Sequence, residues 1–217
     1  MKRERASFYC GKFKLEGVYC LPDGDGRFPA VVVCHPHPLY GGSMDNNVVQ
    51  AIGSALVERS LAVLMFNFRG VGGSQGAFGG GEGEQEDVRA ALDWLCSQAE
   101  VDGARVGLAG YSFGAAVALA VACSDQRVKA VALVSLPLMD EAQVVRSQSA
   151  LGGCSIPKLL VCGGEDFVVP MEALGRLVER TAEPKEVRVI PGADHFWWGD
   201  EGAVAQTVAD FFCRHIG

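Results

Sequence analysis

The sequence predicts an α/β domain in which a mostly parallel sheet is covered by helices on both faces, and three observations lead there. Short apolar runs recur along the chain: AVVVC at 30–34, AVLMFNF at 62–68, VKAVALV at 128–134 and KLLVC at 158–162. Uninterrupted runs of this kind suit strands buried on both sides. Between them lie segments whose apolar residues repeat at three and four, the spacing of a helix face. Strand and helix therefore alternate, which requires crossover connections and gives parallel strands. The third observation is where the irregular, glycine- and proline-rich loops fall: they follow strands, at the carboxyl end of the sheet where ligand sites of such folds lie.

Composition narrows the partners. The chain has 217 residues and is 49% hydrophobic, enough to bury the core of one domain over residues 1–217. A net charge of -7, with no basic run longer than Lys2-Arg3, argues against nucleic acid and against an anionic membrane surface, leaving a small molecule as the expected partner. The segment MKRERASFYCGKFKLEG has no apolar stretch behind its basic residues, and no run is long enough to span a bilayer, so a cytoplasmic protein is expected. Cys34, Cys123 and Cys162 lie in apolar runs where a reduced thiol acts as a small hydrophobe, and no C-x-x-C pair suggests zinc.

Taken in order, FKLEGVYC from Phe13 puts Phe13, Leu15 and Tyr19 on one side of a half-exposed antiparallel strand. The turn LPDGDGRFP leads into the buried strand AVVVC. HPHPLYGGSMDN is a loop, after which Asn46 or Asn47 can cap a helix to about Ser60 with Val49, Ile52 and Leu56 on its inner face. The strand at 62–68 and the glycine-rich stretch Gly70 to Gly83 follow, then a helix marked by Val88, Ala91, Leu92 and Leu95 whose first turn is acidic, as suits its positive end. That glycine-rich stretch has neither G-K-[ST] nor G-x-G-x-x-G opening a helix, so no phosphate-bearing cofactor is implied. Later come the strands at 128–134 and 158–162, a helix at Leu174, Leu177 and Val178, the strand EVRVI at 186–190, and a last helix with Val204, Val208, Phe211 and Phe212 inward.

Between Arg105 and Cys123, RVGLAGYSFGAAVALAVAC reads as strand, sharp turn and helix, with Ser112 at the apex of Gly110-Tyr111-Ser112-Phe113-Gly114. A tight turn there projects a serine hydroxyl outward, and glycines two before and two after remove side chains that would collide. The pentapeptide alone decides little, because a chain with 28 glycines carries about 0.2 such matches by chance. Gly72-Gly73-Ser74-Gln75-Gly76 indeed matches too, without an apolar run leading into it or a helix leaving it. Context makes Ser112 the candidate nucleophile.

A serine hydroxyl needs a base within reach and a third group to orient that base. His195, in PGADHFWWG, follows the strand ending at Ile190, and Asp166, in GGEDFVVP, follows KLLVC. His215 stands at the end of a helix pattern, where it complements the helix dipole. Ser112, Asp166 and His195 each end a different strand, in the order serine, acid, histidine. Serine in place of aspartate at the turn argues against chemistry that needs an alkyl-enzyme ester. His35-Pro36-His37 offers two histidines, an incomplete metal site, so no metal is expected.

The motifs HPHPLYGGSMDN, NFRGVGGSQG, GYSFG and the paired GGEDFVVP and GADHF, covering the chain from about Phe13 to Phe212, resemble those of the α/β-hydrolase superfamily, within its small lidless members related to dienelactone hydrolases. Dienelactone-type enzymes carry cysteine where this chain has Ser112, which points away from that substrate. The resemblance implies the α/β-hydrolase fold without a large cap domain, catalysis by Ser112, Asp166 and His195, and no cofactor. It also implies an oxyanion hole from the N–H of Phe113 and an N–H of the loop after AVVVC. Pro36 and Pro38 have no N–H, which leaves His37 or Leu39; the family's histidine-glycine-X pattern selects His37. Leu39, Tyr40, Tyr111 and Trp197 are candidates to line the substrate pocket, and Trp197 and Trp198 have a competing place beneath the C-terminal helix. SLPLMDEAQVVRSQSALGGCSIP is too short for a large cap, so the expected activity is hydrolysis of small or short-chain carboxylic esters, with thioesterase, peptidase or non-catalytic binding as alternatives.

Overall fold

The computed structural model describes residues 1–217 and contains one eight-stranded sheet ordered β1-β2-β4-β3-β5-β6-β7-β8. The strands are β1 (Lys2–Cys10), β2 (Phe13–Leu21), β3 (Phe28–Cys34), β4 (Ala62–Phe66), β5 (Val101–Tyr111), β6 (Val128–Val134), β7 (Lys158–Gly163) and β8 (Lys185–Ile190). From β4 to β8 every pairing is parallel. β2 lies antiparallel to β4, and β1 antiparallel to β2. This is the fold class the alternation predicts.

Five helices connect strands, α1 (Asn47–Glu58), α2 (Glu82–Cys96), α3 (Phe113–Ala122), α4 (Glu141–Gly152) and α5 (Met171–Arg180), and a sixth, α6 (Glu201–Ile216), follows β8. None is long and apolar enough to cross a membrane. The sheet divides two cores. On one face α1 and α6 bury Ile52, Leu56, Val208, Phe211 and Phe212 against Val31, Val33 and Ala132; on the other, α2, α3, α4 and α5 bury Leu92, Ala118, Leu151 and Leu177 against Val32, Leu108 and Leu133. Neighbouring residues of β3 thus feed opposite cores, which is why its run is apolar throughout. Asn46 caps α1, its side chain accepting from the N–H groups of Val48 and Val49.

Two features depart from the sequence reading. β1 was not anticipated, because only Ala6 and Phe8 are buried in it while Lys2 to Arg5 are exposed. Two buried positions give too short an alternation to register, and the charges blunt an exposed sheet edge. Cys123, expected as a reduced apolar residue, is instead bonded to Cys154. The chain from α4 returns beside the end of α3 and brings the two Cα atoms to 5.1 Å, inside the range a disulfide spans. Cys34 and Cys162 remain free and buried.

Candidate active site

Ser112 joins β5 to α3 at φ 54° and ψ -119°, a conformation that side-chain-bearing residues rarely adopt. Both flanking glycines are required by space. A Cβ on Gly110 would strike the Gly114 carbonyl, and a Cβ on Gly114 would strike the carbonyls of Cys34 and His35. The helix therefore rises tightly from the sheet, and the turn is pinned by a 2.8 Å bond from Ser112 N–H to the Val134 carbonyl. The serine hydroxyl is left facing the loops after β7 and β8.

Those loops bring the other two residues to it. Ser112 Oγ lies 3.1 Å from His195 Nε2, and His195 Nδ1 lies 2.9 Å from Asp166 Oδ1. Asp166 is 4% exposed and His195 8%, so the carboxylate meets the imidazole with little competition from solvent. One imidazole nitrogen thus faces the carboxylate and the other faces the serine hydroxyl. Each loop is locked locally. Asp166 Oδ1 also accepts the Val168 N–H at 2.9 Å. Asp194 Oδ1 accepts the N–H groups of Phe196 and Trp197, fixing the turn around the histidine. Gly163 lies where any Cβ would collide with the Ala193 carbonyl, so the two loops approach as closely as backbone permits.

Two N–H groups have no protein partner: that of Phe113, next to the serine, and that of His37, whose ring lies 4.8 Å from the Phe113 ring. Phe113 opens α3, where the helix provides no acceptor, and the His37 N–H makes no hydrogen bond in the chain. The Leu39 N–H, the other possibility left by the prolines, is taken by His37 Nδ1 at 3.2 Å. Gly42 folds the loop back so closely that a Cβ would strike the Pro36 carbonyl. His35 is buried, with Nδ1 against the Pro36 carbonyl and Nε2 accepting the Phe68 N–H; burial lowers its pKa to about 4, so it stays neutral.

The expected pocket residues divide. Leu39 and Tyr40 stand exposed on the loop after β3. Tyr111 is buried, and its hydroxyl donates to the His195 carbonyl at 2.6 Å, so it holds the histidine loop instead of lining a pocket. Trp197 is fully buried in the α1 and α6 core. Its φ is 61°, and its indole N–H donates to Ser135 Oγ at 3.1 Å. It takes the place beneath the C-terminal helix; Trp198 is exposed. The sequence reading missed Phe78, whose ring lies 5.1 Å from His37 and 5.7 Å from Phe113. It also missed Glu84, a buried carboxylate that accepts from Gly79 and Gly81 at 2.7 Å each and shapes the glycine-rich loop. A lone aromatic in a glycine-rich stretch gives no periodic signal, and Glu84 resembles any acidic residue of a first helical turn.

Residues 12–192 match the X-Pro dipeptidyl-peptidase family, S15. The chain belongs to that family, within the α/β hydrolases. It is 35% identical over 203 residues to an uncharacterized protein of Rickettsia prowazekii, covering 91% of this chain and 84% of the relative. An uncharacterized protein of Mycobacterium tuberculosis is 34% identical over 199 residues, covering 84% of this chain and 68% of the relative. Among solved structures, an α/β serine hydrolase homologue from Coxiella burnetii superposes with a TM-score of 0.84 at 36% identity, over 97% of each chain. A lidless α/β serine hydrolase from Xanthomonas campestris gives 0.82 at 28% identity, over 98% of this chain and 94% of that one. This S15 chain is thus of the lidless α/β serine hydrolase type.

Proposed function

We propose that this protein hydrolyses small or short-chain carboxylic esters through an acyl-enzyme on Ser112. The observation that carries the proposal is the continuous line from Ser112 Oγ through His195 to Asp166, beside the partnerless N–H groups of His37 and Phe113. His195 Nε2 takes the serine proton as Oγ attacks the ester carbonyl, Asp166 steadies the resulting imidazolium, and the two amides receive the charge that develops on the carbonyl oxygen. The alcohol leaves with the proton from His195. Water then attacks the acyl-enzyme by the same route in reverse.

The preference for short acyl groups rests on the connection between β6 and β7. It holds a single helix of 12 residues, α4, too little to roof a long acyl channel. Hydrolysis of p-nitrophenyl esters is expected to peak between acetate and butyrate and to decline toward palmitate; a steady rise with chain length would overturn the short-chain reading. The match to a peptidase family favours a second reading, cleavage of an X-Pro dipeptide from a peptide end. Turnover of Ala-Pro-p-nitroanilide at rates above those of acetate esters would establish it in place of the first.

A further inference from the structure

Each residue assigned to catalysis is followed in the chain by a phenylalanine: Ser112-Phe113, Asp166-Phe167 and His195-Phe196. The three rings differ in setting. Phe113 turns in toward Phe68, His37 and Phe78, whereas Phe167 and Phe196 are 61% and 50% exposed. Both exposed rings stand edge-on to the His195 imidazole, with centroids 5.6 and 5.8 Å from it and 6.1 Å from each other. Rings that close already touch, so they form a ledge and not a slot.

The ledge is held by the bonds that hold the catalytic groups. Phe196 N–H is bound to Asp194 Oδ1, and Val168, next after Phe167, is bound to Asp166 Oδ1. Its position has a chemical meaning. In acyl transfer the serine Oγ–carbon bond forms, the bond from that carbon to the alcohol oxygen breaks, and the proton on His195 Nε2 passes to that oxygen. The leaving alcohol must therefore approach the imidazole, and the two exposed rings in contact with that imidazole offer it an apolar surface, while the carbonyl oxygen faces His37 and Phe113.

We propose that Phe167 and Phe196 form the leaving-group subsite and select esters whose alcohol portion is aromatic. The inference rests on the ester hydrolase reading of Ser112. An aromatic leaving group gains edge and face contacts with both rings that a saturated ring of the same size does not, worth about two- to tenfold in kcat/KM.

Benzyl acetate and cyclohexylmethyl acetate share the acyl group and nearly the same leaving-group size, so their kcat/KM ratio isolates the ring. In the unmodified protein benzyl acetate is expected to be favoured about two- to tenfold. In the Phe167→Leu/Phe196→Leu double variant, which keeps apolar bulk and removes the rings, the ratio should fall to near one. A general loss of folded protein lowers both rates together and leaves the ratio untouched, so an unchanged ratio in the variant overturns the subsite. Equal hydrolysis of the two esters by the unmodified protein also overturns it, while leaving the hydrolase reading in place. No hydrolysis of either ester together with no fluorophosphonate adduct on Ser112 would remove both.

Discussion

Ser112 and Ser74 occupy the same five-residue pattern, G-x-S-x-G, in very different backbones. At Gly110–Gly114 the positive φ falls on the serine, and the glycines are there to admit backbone. At Gly72–Gly76 it falls on the glycines, at 55° and 95°, and the serine is relaxed. The hydroxyls follow suit. Ser112 Oγ has only the His195 imidazole, whereas Ser74 Oγ donates to the Asn67 carbonyl at 2.7 Å and accepts the Glu16 N–H at 3.0 Å. One hydroxyl faces only an imidazole; the other ties the glycine-rich loop to β2. Strain carried by the serine, not the pentapeptide, separates a candidate nucleophile from a staple.

Substitutions test that contrast, beginning with the largest effect. Ser112→Ala should lower kcat for acetate esters about a million-fold, leaving only residual turnover, in a steady-state assay. Asp166→Asn, which removes the charge but keeps the shape, should cost about 10⁴-fold in kcat. His37 has φ -58°, which proline adopts without strain, so His37→Pro removes the N–H and little else from the backbone. A loss of about 10²- to 10³-fold in kcat is expected, with His37→Ala much closer to the unmodified protein. Equal losses in the two variants would show that the imidazole matters and not the amide.

His35, which accepts from Phe68 beside the Asn67 that Ser74 grips, is held neutral in the folded state with its pKa lowered to about 4 from 6.5. The unfolded chain binds that proton first, so stability is whole above pH 6.5 and falls as pH drops toward 4, by about 3 kcal/mol in all. Urea unfolding across this window should show that slope, and His35→Gln should flatten it. Ser74→Ala leaves the partly buried Glu16 N–H without its Ser74 partner and should cost about 1 kcal/mol of stability, with kcat within a few-fold of the unmodified protein.

Much of this arrangement is legible in the sequence. The runs AVVVC, VKAVALV and KLLVC mark β3, β6 and β7 because strands buried on both faces need no polar side, and Asn46 caps α1 as its residue type suggests. Asp166 and His195 stand out because they follow strands, and a parallel sheet delivers such loops to one edge. What escaped depends on contacts between distant segments. The bond from Cys123 to Cys154 spans 31 residues and requires knowing where the chain returns after α4. Trp197 goes inward with its indole N–H on the hydroxyl of Ser135, 62 residues earlier, and that partner is not visible beside it in the chain. Tyr111 has its place in the turn sequence but not its partner, the His195 carbonyl.

The central claim is that Ser112 is the activated hydroxyl and Ser74 is not. Incubating the folded protein with a fluorophosphonate, then mapping the adduct by peptide mass spectrometry, addresses both serines in one experiment. A phosphonylated Ser112 with unmodified Ser74, and loss of labelling in Ser112→Ala but not in Ser74→Ala, is the predicted result. An adduct on Ser74, or an unlabelled Ser112 in folded protein, would contradict it.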